Sequence, residues 1–252
     1  MTDTPAPKPG ILGIAPYVGG KSAIAGVAEP MKLSSNENAL GAGEKARAAY
    51  EAAIKNRASK LRAAVVEHHG LEPDRLIFGN GSDEVFALLN QTYLEPGDNI
   101  VTGEYGFLAY RISAKACSAE VKLAPEPDFK AEVDALLAQV DERTRIVYVS
   151  NPSNPTGSFN TAEEIRRLHA ELPRRIILVI DEAYAEFVTE PSWESAFGLA
   201  RDSDNLVVTR TFSKIHGLAG LRVGFGYAPL GVAEAVDRIR LPFNVSVPGI
   251  EA

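Results

Sequence analysis

Residues 145–184 read RIVYVSNPSNPTGSFNTAEEIRRLHAELPRRIILVIDEAY. Two short segments in this stretch, Arg145–Ser150 and Arg175–Ile180, are mostly apolar on both faces, and the helix-length segment Thr161–Leu172 lies between them. Strands that are apolar on both faces and alternate with helices are typical of a parallel sheet that helices cover on both sides. The stretch therefore predicts a strand–helix–strand unit of an α/β fold.

The same alternation continues on both sides of this unit. The predicted strands are Arg75–Phe78, Asn99–Thr102, Glu120–Leu123, Arg145–Ser150, Arg175–Ile180, Asn205–Arg210 and Val223–Tyr227. The predicted helices are Glu44–Asn56, Ser59–His69, Ser82–Leu94, Tyr105–Ala116, Lys130–Val140, Thr161–Leu172, Trp193–Ala200 and Val232–Arg240. This pattern predicts a mainly parallel, mixed sheet flanked by helices on both faces, in a domain over residues 43–240. Residues 1–42 are rich in Gly, Pro and Ala, and we expect them to form an N-terminal arm.

Composition and charge exclude several classes of protein. The 252 residues are 45% hydrophobic and 23% charged, which is ordinary for a globular protein and excludes wholesale disorder. With 26 basic and 33 acidic residues the net charge is −7, so we expect no nucleic-acid partner. No apolar run approaches the roughly 18 residues of a membrane span, and the first ten residues do not resemble a secretory signal. The single cysteine, Cys117, excludes an intrachain disulfide, and we expect a cytoplasmic protein.

The carboxyl ends of the predicted strands carry most of the chemically active side chains. In an open α/β sheet, ligands bind at this edge. The segments that follow the strands there are Gly79–Glu84, Gly103–Tyr105, Asn151–Gly157, Asp181–Tyr184 and Thr211–Lys214. The four histidines and Cys117 show no ligand spacing, so we expect no metal site.

Three charged residues in or near these segments have both a functional and a structural interpretation. Lys214 follows an apolar strand, and a partly buried lysine is a nucleophile for carbonyls, although most lysines are solvated surface charges. Asp181 follows five apolar residues, so its carboxylate needs a cationic or hydrogen-bonding partner. That partner could be a ligand, or it could be a residue in a structural ion pair. Arg222 lies among glycines and could bind an anion bidentately, or it could be an exposed residue at the start of a strand.

Two loops add to this picture. Gly79–Glu84 opens a helix, whose backbone N–H groups bind phosphate well; Glu84 stands where a dinucleotide loop has its third glycine, and a plain helix cap is the alternative. Asn151–Gly157 has two prolines within four residues, which favours cis or strained bonds and directs Asn154 above the sheet.

An amine nucleophile, a buried carboxylate, a phosphate-binding loop and an arginine together suit pyridoxal 5'-phosphate. The predicted catalytic residues are Lys214, which forms the Schiff base, Asp181, which keeps the ring nitrogen protonated, and Tyr184. The predicted cofactor ligands also include Asn154 and Tyr184 on the ring hydroxyl, Tyr105 on the ring face, and Gly81, Ser82, Asp83, Ser213 and Arg222 around the phosphate. Thr211 is a further predicted cofactor ligand.

These motifs, in this order, strongly resemble those of the fold-type I pyridoxal-phosphate aminotransferases, and among them the members that act on histidinol phosphate. The matching segments are Leu33–Asn38, Gly79–Glu84, Asn151–Gly157, Asp181–Tyr184, Thr211–Lys214 and Gly220–Gly224. The resemblance implies a homodimer in which an amino group moves between glutamate and imidazole-acetol phosphate, in histidine biosynthesis. It further implies that Lys214 moves the α proton and that Tyr17 and Asn36 lie on the substrate side.

The sequence departs from the family pattern at two places. Family members continue well beyond residues 241–246, so the resemblance implies that the small domain is largely missing, with residues 241–252 as its start, and no arginine here matches the one that binds the substrate carboxylate. A Tyr-Pro segment of the family is replaced by Lys55-Asn56-Arg57. The alternatives are a related enzyme, either an aromatic amino acid aminotransferase or a phospho-amino-acid decarboxylase, and a cofactor-binding scaffold without turnover.

Overall fold

The computed structural model describes residues 43–45, 61–241 and 244–252. The predictions made for Tyr17, Asn36, the helix over residues 46–56 and the segment Lys55-Asn56-Arg57 lie outside the described residues. The strands are β1 (Leu76–Asn80), β2 (Asn99–Gly103), β3 (Glu120–Ala124), β4 (Thr144–Ser150), β5 (Ile177–Asp181), β6 (Leu206–Thr211) and β7 (Val223–Tyr227). The helices are α1 (Leu61–His69), α2 (Ser82–Tyr93), α3 (Leu108–Ala116), α4 (Val133–Ala138), α5 (Ala162–Glu171), α6 (Phe197–Arg201), α7 (Leu230–Asp237) and α8 (Val247–Glu251).

The strands form one seven-stranded mixed sheet in the order β1-β7-β6-β5-β4-β2-β3. The five strands from β6 to β3 in this order run parallel, whereas β7 pairs antiparallel with both β6 and β1. Each of the seven strands lies within two residues of its predicted bounds at either end. The predicted mixed sheet is therefore confirmed. The two strands of the strand–helix–strand unit, β4 and β5, are parallel neighbours at its centre.

The central strand β5 explains why the apolar pattern was a good guide. All five of its residues are buried. Leu178 and Ile180 belong to one hydrophobic cluster, and Ile177 and Val179 belong to a second cluster on the other face. Because successive side chains of a strand point to opposite faces, a strand between two helical layers is apolar along its length, and in β5 only the last residue, Asp181, is polar.

Several helices differ from their predicted bounds because side chains hold the flanking backbone in turns. Helix α3 begins at Leu108 rather than Tyr105, because the Tyr105 backbone N–H donates to Glu126 Oε2 over 2.6 Å. Helix α6 begins at Phe197, four residues after the predicted start, because Glu182 accepts a hydrogen bond from the Ala196 backbone at 2.6 Å. In contrast, α5 begins next to its predicted start at Thr161, where Thr161 and Glu164 form a capping box.

None of the described helices is long and apolar enough to cross a membrane.

The register of the sheet brings the ends of three strands together at one edge. Ser150 of β4 is opposite Asp181 of β5, which in turn is opposite Thr209 of β6. The loops that follow these strands therefore leave the sheet side by side.

Candidate active site

Asp181 ends β5, and its carboxylate is held by two hydroxyl groups. Tyr110 donates to its Oδ2 at 2.6 Å, and Thr209 donates to its Oδ1 at 2.9 Å. Burial raises the pKa of Asp181 to about 6, although both hydroxyl donors favour the ionised form. Among the described residues no Lys or Arg lies within ion-pair distance of this carboxylate. The ion pair that the sequence offered as the structural alternative is therefore not seen in this part of the chain.

Lys214 follows β6 at the same edge of the sheet and is partly buried. Its Nζ lies 5.3 Å from the centroid of the Tyr184 ring, and its positive charge lowers the pKa of Asp181. The Tyr184 hydroxyl accepts a hydrogen bond from Asn154 Nδ2 at 3.2 Å. The structure thus brings Lys214, Tyr184 and Asn154 into one group, with Asp181 within electrostatic reach of the amine.

The loop that carries Asn154 has two cis peptide bonds, Asn151–Pro152 and Asn154–Pro155, as its two prolines suggested. The buried side chain of Asn151 ties the loop to Asn160. It donates to the Asn160 carbonyl at 3.1 Å and accepts from the Asn160 backbone N–H at 2.8 Å. These bonds fix the two ends of the loop and hold Asn154 beside Tyr184.

A second group of residues surrounds the guanidinium of Arg222 at the start of α2. Gly81 has a φ of +76°, a conformation that strains residues with a side chain, and a Cβ there would lie 2.5 Å from a guanidinium nitrogen of Arg222. Arg222 donates to Asp83 Oδ2 at 3.0 Å and to Ser213 Oγ at 3.4 Å. Ser213 Oγ in turn accepts from Thr211 Oγ1 at 3.0 Å. The guanidinium of Arg222 therefore lies next to the start of a helix, with the Asp83 carboxylate and the Ser213 hydroxyl in contact with it.

Close packing of β7 against the start of α2 makes this arrangement possible. A Cβ on Gly224 would lie 2.3 Å from the backbone nitrogen of Ser82, so a larger residue would push the helix away. Ser82 itself is buried at the first position of α2. The Gly220–Gly224 motif thus places Arg222 and the helix start next to each other.

Tyr105 lies at the same edge but outside both groups. It follows β2, is 38% exposed, and its ring packs against Phe129 with centroids 5.2 Å apart. Its place at the ring face of a ligand therefore stays a prediction.

Sequence reasoning missed two residues that contact Asp181 and one that contacts its neighbour. Tyr110 has the sequence context of a core aromatic in a helix, and Thr209 that of a strand residue, so neither gave a signal. Arg210 is buried and binds Glu182 Oε2 with nitrogens at 2.8 and 2.9 Å, and Glu186 Oε1 at 2.7 Å. A charged residue inside an apolar strand was a usable signal for this pair.

Residues 28–252 match the sequence model of a family described as aminotransferase class I and II. The chain belongs to this family. It is 56% identical to histidinol-phosphate aminotransferase 1 of Caulobacter vibrioides and 48% identical to the histidinol-phosphate aminotransferase of Maricaulis maris. In both comparisons the match covers 98% of this chain and 70% of the relative.

A solved structure gives the same result for the fold. The histidinol-phosphate aminotransferase from Sinorhizobium meliloti, in complex with pyridoxal-5'-phosphate, superposes with a TM-score of 0.81 at 30% sequence identity. The match covers 86% of this chain and 61% of that structure, so the 252 residues span less than two thirds of its length. The predicted family and fold class are confirmed, whereas the predicted domain boundaries stay predictions.

Proposed function

We propose that the chain binds pyridoxal 5'-phosphate and belongs to an aminotransferase that exchanges an amino group between glutamate and imidazole-acetol phosphate. The names of the relatives support this substrate pair. The observation that carries the proposal is the placement of Lys214, Asp181 and the Gly81–Arg222 arrangement at neighbouring strand ends of one sheet. An amine, a carboxylate and an anion site are the three attachments that this cofactor needs.

Two features of the described residues fit the cofactor. Arg222, the Ser213 hydroxyl and the start of α2 lie next to each other, and together they would hold a phosphate. The carboxylate of Asp181 receives hydrogen bonds only from neutral hydroxyls among the described residues, so its charge is available for a cationic ring nitrogen. Neither feature would be needed in a domain that bound no ligand with both an anionic and a cationic group.

The roles of the residues follow from this placement. The cofactor supplies an aldehyde and an electron-withdrawing ring. Lys214 Nζ would hold the aldehyde and, once released by substrate, take the proton from the substrate α carbon. Asp181 would keep the ring nitrogen protonated, and Tyr184 with Asn154 would bind the ring hydroxyl. The remaining contacts, which we propose for the phosphate, are Gly81, Ser82, Asp83, Thr211, Ser213 and Arg222.

The family resemblance extends the proposal beyond the described residues. Tyr17 and Asn36 would contact substrate, and two copies of the chain would form a dimer in the cytoplasm. Among the described residues, Tyr105 would stack on the ring. The substrates are small amino and keto acids, and their carboxylate and phosphate groups explain why cationic side chains are gathered in a chain whose net charge is −7.

A half-reaction tests the proposal directly. The chain is loaded with pyridoxal 5'-phosphate and mixed with glutamate, and the 2-oxoglutarate that forms is measured against bound cofactor. We expect one equivalent, and histidinol phosphate should replace glutamate as the amino donor more effectively than tyrosine. Absence of any keto acid from a cofactor-loaded chain would favour the scaffold, and release of carbon dioxide would favour the decarboxylase.

A further inference from the structure

Tyr110 is a buried residue of α3 that lies outside every motif discussed above. Its side chain is completely inaccessible to solvent, and its hydroxyl donates to Asp181 Oδ2 over 2.6 Å. Its ring stacks on Tyr148, with centroids 4.5 Å apart and planes 8° from parallel, and meets the edge of Phe86 at 4.8 Å. These contacts fix the ring, and therefore fix the direction from which the hydroxyl approaches the carboxylate.

We propose that Tyr110 is a positioning residue of the cofactor site, whose hydroxyl holds the Asp181 carboxylate in the orientation and the ionised form that a cationic ring nitrogen requires. The inference rests on the proposed function, in which Asp181 is the partner of that nitrogen. Tyr110 itself would touch neither the cofactor nor the substrate.

The two hydrogen bonds of Asp181 leave room for the cofactor's ring nitrogen as a third partner of the carboxylate. Each carboxylate oxygen has one hydroxyl donor, Tyr110 on Oδ2 and Thr209 on Oδ1. A carboxylate has about four lone-pair positions, so acceptor capacity remains for a ring N–H. Because the two donors approach different oxygens, rotation of the carboxylate would break both bonds, and the remaining positions keep a constant direction.

The charges around Asp181 show why a donor is needed there. Burial opposes ionisation, and the negative charge of Asp83 acts in the same direction. The positive charge of Lys214 and the two hydroxyl bonds act against these effects, and the resulting pKa is about 6. Each hydrogen bond to the ionised form lowers the pKa further, so loss of the Tyr110 hydroxyl would leave a larger fraction of Asp181 protonated near neutral pH.

The Tyr110 hydroxyl is a dependable donor. Burial and the charge of Asp181 raise the pKa of Tyr110 well above its ordinary value, so the hydroxyl keeps its proton throughout the working pH range. A protonated hydroxyl facing an ionised carboxylate can only donate to it. The bond therefore always favours the ionised form of Asp181.

Tyr148 provides a matched control within the same aromatic stack. It is also completely buried, but its hydroxyl donates to Asn90 Oδ1 at 2.8 Å instead of to Asp181. Tyr110→Phe and Tyr148→Phe remove the same atom from the same kind of environment. A purely structural effect would be similar in the two variants, whereas an effect on Asp181 would be confined to Tyr110→Phe.

The first experiment uses the protein without cofactor. The Asp181 carboxyl carbon is titrated by ¹³C NMR, with Asp181→Asn to assign its signal, in the wild type and in both variants. We expect Tyr110→Phe to raise the pKa of Asp181 by about one pH unit, and Tyr148→Phe to leave it unchanged. An equal pKa in the two variants would overturn the inference.

The second experiment measures the dissociation constant for pyridoxal 5'-phosphate at pH 7. We expect Tyr110→Phe to weaken binding about twofold relative to Tyr148→Phe, because a rise of about one unit from a pKa of about 6 lowers the ionised fraction of Asp181 at pH 7 from roughly nine-tenths to about one half. A wild type that binds no cofactor would overturn the proposed function and this inference with it. A wild type that binds, with the two variants indistinguishable from each other, would overturn this inference alone.

Discussion

Asp181 and Glu182 are neighbours in the chain, and both carboxylates are buried, with 3% and 1% of their surface exposed. Because successive residues of a strand point to opposite faces, the two acids enter different surroundings. Asp181 meets the hydroxyls of Tyr110 and Thr209. Glu182 meets the guanidinium of Arg210, at 2.8 Å, together with a serine hydroxyl and a backbone N–H.

This contrast separates a carboxylate that forms an ion pair from one that, among the residues the structure describes, is in contact with no cation. Glu182 and Arg210 compensate each other, and their pairing joins β6 to the loop after β5 on the face away from Asp181. Asp181 keeps acceptor positions and, within the described part of the chain, has only the more distant charge of Lys214 to offset its own, which is unfavourable in a buried site unless a cationic ligand arrives. The structural ion pair expected at this place in the chain therefore belongs to Glu182, and Asp181 is left for function.

The largest loss of stability is expected from breaking the ion pair between Glu182 and Arg210. Arg210→Met leaves Glu182 buried without its cation and removes the partner of Glu186. We expect the free energy of unfolding in urea to fall by about 3–5 kcal/mol. Arg174→Met, which breaks the exposed pair with Asp204, is the control and should have little effect. Similar losses in both variants would show that the Arg210 pair is not special.

Removing the charge of Asp181 should have the opposite effect and stabilise the protein without cofactor. The folded-state pKa of Asp181 is raised from 3.8 to about 6, so its contribution to stability is fully present below pH 3.8 and is lost as the pH rises through 6. Asp181→Asn avoids that loss. We expect the variant to be more stable than the wild type by about 3 kcal/mol at pH 8, and equal to it near pH 3.5.

The same substitution should abolish tight cofactor binding, because an amide cannot balance the charge of a protonated ring nitrogen. Urea unfolding across the pH range, with and without pyridoxal 5'-phosphate, measures both effects. A variant that was less stable than the wild type at pH 8 would contradict this account of the Asp181 carboxylate.

A smaller effect is expected from removing one hydrogen bond to Glu182 while leaving its ion pair and Asp181 in place. Ser195 donates to Glu182 Oε2 at 2.8 Å, next to Arg210. Ser195→Ala should lower the free energy of unfolding by about 1.5–2 kcal/mol, the lower end of the range for one hydrogen bond to a charged group. Cofactor affinity, measured by fluorescence titration, should not change, since Ser195 lies on the face away from Asp181. A drop in affinity would mean that the two faces are coupled.

The sheet was predictable because burial on both faces leaves a continuous apolar run in each central strand, as in residues 176–180. The strand ends, with Asp181, Lys214, Asn154 and Arg222, were predictable because a parallel sheet gathers them at one edge. Tyr110 was not, since a tyrosine in an amphipathic helix gives no sign that its hydroxyl reaches a carboxylate 71 positions further along the chain. The pairing of Arg210 with Glu182 likewise depends on which face each residue occupies, and this was settled only by the register of β5 and β6.

The most direct test of the account is to locate the covalent attachment of the cofactor. The chain is loaded with pyridoxal 5'-phosphate, reduced with borohydride, digested and analysed by mass spectrometry. We predict a single phosphopyridoxyl group on the peptide that contains Lys214, its loss in Lys214→Ala, and its retention in Lys115→Ala, which removes an exposed lysine at the end of α3. Labelling spread over surface lysines, or equal labelling of the two variants, would contradict the central claim.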